Sequence, residues 1–208
     1  MKDFSLWQNN FAFYGQDDSF NSLYQDGITS PFLSTLWTNK ETTDTIDVEQ
    51  QNRNHIDKLK AQENTFIDIL LHTDFEDGES NEATDFIYSS LEENSMPTSI
   101  WIADLFRKYS KNTDSFSTTI TYGLLRIIAY LDNKDCFNYI KSVLILILES
   151  AIHSNIIYIQ EASLMVIESW RDKDSYELIE NYTFGESNYL ETYSKALKTE
   201  LSQEFQAS

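Results

Sequence analysis

The stretch Tyr122–Ile140, YGLLRIIAYLDNKDCFNYI, can be laid on Glu161–Ile179, EASLMVIESWRDKDSYELI, at an offset of 39 residues. Leu125 falls on Leu164, Ile127 on Val166, Ile128 on Ile167 and Leu131 on Trp170. Lys134-Asp135 then falls on Lys173-Asp174, Phe137 on Tyr176, Ile140 on Ile179, and small Gly123 on small Ala162. Each copy is an apolar stretch at helical spacing, a four-residue polar turn and a second apolar stretch. Units that recur at about forty residues, none able to bury its apolar face alone, predict a stack of helix pairs.

The pattern extends in both directions. Laying Leu131 on Leu91, an offset of 40, puts Ile127 on Ile87 and Ile140 on Ile100, so Ala83–Tyr109 reads as an earlier copy, with Pro97 and Thr98 at the start of its second helix. Asn188–Leu201 (NYLETYSKALKTEL) reads as the first helix of one more. With these in place, Gln160–Tyr182 (QEASLMVIESWRDKDSYELIENY) resembles a repeat of the HEAT-like family, and the resemblance covers about residues 80–205. It implies an all-α chain, a short α-solenoid of antiparallel helix pairs. The proline frequent in the first helix of that family is missing here. Such patterns define architecture far better than activity.

N-terminal to the repeats, Ile56, Leu59, Phe66, Ile67, Leu70 and Leu71 predict an amphipathic helix that ends at the acidic loop Asp74–Glu79. Asn39–Asn52 is polar and reads as a linker. Residues 1–48 stand apart, with nine aromatics in the first forty positions, among them Trp7, Phe13, Tyr24 and Trp37. Disordered tails are poor in aromatics, so this segment is expected to pack on the helical body or to bind a partner. The division expected is an aromatic cap over 1–48 and a repeat domain over 49–208. Asp174-x-x-Glu177 and Asn188-x-x-Glu191 have the form of capping boxes. The helix around Val143–Leu148 (VLILIL) is apolar almost all round and needs cover on more than two sides, from the aromatic segment or from a partner.

Composition sets the limits on function. Five Gly and two Pro are too few for a many-stranded sandwich or barrel. The single cysteine, Cys136, excludes an internal disulfide, and with no signal-like apolar run at the start the chain is expected to be cytoplasmic. VLILIL is far shorter than the ~20 residues that span a bilayer. The formal charge is −19, from 15 Lys and Arg against 34 Asp and Glu. Residues 1–100 carry 5 basic and 19 acidic residues, a balance of −14, and residues 101–208 carry 10 and 15, a balance of −5. Such a field repels nucleic acid and anionic membranes and steers basic partners in, or serves solubility alone.

No catalytic or cofactor motif is expected. The glycines are isolated, so no phosphate-cradling loop is present, and His55, His72 and His153 lack the i, i+4 spacing of a metal pair. A calcium loop built on Gly78 would put Phe75 at its third position and Thr84 at its twelfth, where oxygen-rich ligands belong. Cys136 has a serine, Ser175, in the equivalent place and reads as filler. The expectation is therefore a non-catalytic protein-binding module, in its sharpest form an acidic immunity or antitoxin-like inhibitor of a basic nuclease toxin. Its contact residues would be Asp74, Glu76, Asp77, Glu79, Glu82 and Asp85 at one end, and Asp172, Glu177 and Glu180 on the last full pair. A scaffold that binds through the VLILIL helix, or an enzyme whose site forms no motif, are the alternatives.

Overall fold

The apolar spacing of each segment dictates which side it buries. The computed structural model describes residues 44–75, 80–131, 137–185 and 188–207. Eight α-helices are found among them: α1 Asp44–His72, α2 Glu82–Glu93, α3 Ser95–Tyr109, α4 Ser115–Tyr130, α5 Phe137–Ile152, α6 Ile157–Trp170, α7 Lys173–Glu180 and α8 Asn188–Ala207. No strand occurs among the described residues, and the protein is all-α. The aromatic segment expected over 1–48 lies almost wholly outside them.

The helices pack in two interleaved rows. α2, α4, α6 and α8 contact one another in succession, α3, α5 and α7 do the same, and chain neighbours such as α2 with α3 and α5 with α6 join the rows. The repeat offset becomes a contact register: Arg126 Nη1 lies 3.2 Å from Met165 Sδ, Ser169 Oγ donates to Ala129 O at 2.8 Å, and Trp170 Nε1 donates to Ile128 O at 3.1 Å, over separations of 39, 40 and 42 residues. α4 and α6 therefore run side by side in the same direction. Of the aligned apolar positions, Leu125, Leu164, Ile127, Val166, Ile128, Ile167, Leu131, Trp170, Phe137, Ile140 and Ile179 are buried, and only Tyr176 is half-buried. Ile100, in the earlier copy, is also only half-buried.

From Asn52 on, α1 runs alongside α3 in the same direction, with Asn52 against Asn94, His55 against Thr98 and Glu63 against Lys108. Phe66 stacks at 5.1 Å from Phe86 and 5.3 Å from Trp101, joining α1 to α2 and α3. Full burial of such side chains contributes roughly 1.5–3 kcal/mol each, and each aromatic pair about 0.5–1.5 more. At the other end α8 buries one stripe, Leu190, Ser194, Leu197 and Leu201, and leaves Lys195, Ala196 and Thr199 exposed.

Three local expectations are corrected. Residues 44–52 belong to α1 and not to a linker. That stretch contains neither Gly nor Pro, and its polarity reflects a solvent-facing side: Gln51, Arg53 and Asn54 are exposed, while His55 and Leu59 on the other side are buried. α7 is capped by Asp172, which accepts from the backbone N–H groups of Asp174 and Ser175, so Asp174 sits inside the first turn. Glu191 does not close a box on Asn188; its carboxylate accepts from Phe184 N at 2.9 Å and ties the preceding loop to α8. The reciprocal box that does form is Asn81 with Thr84, which the acidic loop beside it masked in the sequence.

Candidate protein-binding surface

Several of the cations among the described residues are held in ion pairs within the fold. Lys58 pairs with Glu93, Lys108 with Glu63, Arg107 with Asp104 and Lys195 with Glu191. Lys141 on α5 reaches Asp172 and Asp174 at 2.8 Å each. Burial works against its charge, but its hydrogen bonds to these two carboxylates and their negative charge outweigh burial and raise its pKa. Arg171 clamps Glu200 and Glu204 of α8. Exposed pairs of this kind add little stability individually, yet each one takes a positive charge out of competition for other carboxylates.

The carboxylates proposed from the sequence divide by what they do. Asp74, just beyond α1, and Glu82 and Asp85, in the first turn of α2, are exposed, as are Glu177 and Glu180 on α7. Among the described residues none of these five has a Lys or Arg within ion-pair distance. Asp172 is engaged as the cap of α7 and as a partner of Lys141, so its contact role is shared with a structural one. Glu76, Asp77 and Glu79 lie outside the described residues. The two groups are not brought together: α2 packs on α3 and α4, whereas α7 packs on α5, α6 and α8.

Sequence reading missed a third group. Tyr189 donates to Glu161 at 2.9 Å, and Tyr193 donates to Glu168, so two tyrosines of α8 bind two carboxylates of α6. Burial and the Glu168 carboxylate push the Tyr193 hydroxyl well above its ordinary range, and the Glu161 hydrogen bond does the same to Tyr189. Both phenols therefore stay neutral donors. Among the described residues neither carboxylate has an ion pair, and Tyr189 keeps 59% of its surface exposed. Partners 28 and 25 residues apart on separate helices leave no spacing signature.

The row α3, α5, α7 is partly apolar on its outward side. On α5, Ile140, Leu144, Ile147 and Leu148 are buried, but Tyr139 is 76% exposed, and Val143 and Leu146, one and two turns further on, are only partly covered. These three lie on one side at i, i+4 and i+7. Ile100 on α3 is likewise partly covered, and Glu177 and Glu180 stand on α7.

Among the described residues no three His, Cys, Asp or Glu side chains gather as a metal-binding group, and no helix is long and apolar enough to cross a membrane. His55 belongs to the core: its Nε2 lies 2.8 Å from Thr98 Oγ1, and its Nδ1 lies 3.7 Å from Glu93. No protein-family model, no curated protein and no solved structure matches the chain.

Proposed function

We propose that the chain is a non-catalytic, cytoplasmic protein-binding module, a short HEAT-like α-solenoid whose carboxylates recognise a basic protein. The observation that carries this reading is the separation of charges. Lys58, Lys108, Arg107, Lys141, Arg171 and Lys195 are spent on internal pairs, while Asp74, Glu82, Asp85, Glu177 and Glu180 face solvent without a Lys or Arg of the described residues within ion-pair distance. In a chain of net charge −19 this leaves carboxylates at two separate places free to meet lysines and arginines of a partner. The concrete form is an inhibitor of the immunity or antitoxin kind, whose carboxylates stand in for phosphates in the basic cleft of a nuclease. Carboxylates on helices suit that task because the backbone holds them at fixed spacing, so little side-chain order is lost on binding.

The test is a variant carrying Glu177→Lys and Glu180→Lys with Glu82→Gln and Asp85→Asn. The first-turn acids are neutralised and not reversed, because reversal there would also oppose the dipole of α2. The variant is expected to keep its helical circular dichroism and to lose partner binding by ~100-fold or more, most of it in the association rate. Unchanged binding by a folded variant would contradict the proposal.

A further inference from the structure

We draw no further inference here: the strongest candidate, the patch of exposed apolar side chains Phe116, Ile157, Tyr158 and Tyr189 at the first turns of α4, α6 and α8, carries nothing because nothing in the structure shows what covers it.

Discussion

Trp170 donates its indole N–H to the carbonyl of Ile128 at 3.1 Å, so the last residue of α6 adds a second donor to a carbonyl at the end of α4 that already accepts from the Leu131 backbone N–H. Ser169 donates to the neighbouring carbonyl, of Ala129. The last carbonyls of a helix lack their usual partners within it, and the following helix of the row supplies donors to two of them. Trp170 also packs edge-on to Phe137 at 4.9 Å, fastening α5. Trp170→Phe, which keeps the packing and removes the donor, is expected to lower stability by about 1 kcal/mol. Trp170→Ala is expected to cost about 3–5 kcal/mol. Urea denaturation of both variants measures the difference; an unchanged stability of Trp170→Phe would show that the hydrogen bond contributes nothing.

Gly123 of α4 packs against Leu70 of α1. A Cβ at this position would stand 2.9 Å from Leu70 Cδ1 and 3.0 Å from Leu70 Cγ. Alanine gains about 1 kcal/mol over glycine from helix propensity, but overpacking a buried leucine costs about 1–3 kcal/mol. Gly123→Ala is therefore expected to be neutral to destabilising by up to about 2 kcal/mol alone, and stabilising in a Leu70→Ala background. Denaturation midpoints around that double-mutant cycle check the sign reversal.

The repeat was legible because its defining residues are core residues. Ile127, Ile128 and Leu131 face the same environment as Val166, Ile167 and Trp170, and burial constrains residue type strongly. Polar roles were far less legible. Asp172 and Asp174 compete for one helix start two residues apart, and only backbone geometry shows that Asp172 takes it. Residues 44–52 were misread as a linker because polar composition reports exposure, not helicity. The Tyr189–Glu161 and Tyr193–Glu168 bonds join separate helices of one row and follow no repeat offset. Of the surface carboxylates, sequence identifies which exist; it does not show that Asp172 is held in place by Lys141 while Glu177 is not.

His55 makes stability depend on pH. Burial of the ring lowers its pKa below the ordinary 6.5, the nearby Lys58 acts in the same direction, and Glu93 opposes both. Thr98 donates its hydroxyl to the backbone carbonyl of Asn94 or Ser90, so it accepts from His55 Nε2–H and selects the Nε2-protonated tautomer of the neutral ring. A histidine with a lowered folded pKa contributes fully above pH 6.5 and loses that contribution as pH falls through the folded value. The wild type is expected to lose stability between pH ~7 and ~5 more steeply than His55→Gln. Parallel curves for the two proteins would remove His55 as the cause.

Arg171 carries a cost and a benefit at the same residue. It ends α6 with a left-handed backbone, φ 47°, the conformation that favours glycine, while its guanidinium holds Glu200 and Glu204. The backbone conformation costs about 1–2 kcal/mol in a residue with a side chain, and partly exposed ion pairs return about 0–1 kcal/mol each. Arg171→Gly is therefore expected to be near neutral at low salt and stabilising at ~1 M salt, where the pairs are screened. Arg171→Ala, which keeps the strain and loses the clamp, is expected to be less stable than Arg171→Gly in both conditions. Thermal melts of the two variants at both salt concentrations provide the comparison.

The most direct measurement is affinity capture of the partner by the full chain from lysate of its native organism at ~50 mM and ~500 mM salt, scored by the charge of what is retained. A basic protein held at low salt, released at high salt, and absent when Glu177 and Glu180 are changed to lysine is the predicted result. A partner that is acidic or neutral, or one retained equally at both salts and by the charge-reversed chain, would contradict recognition through carboxylates.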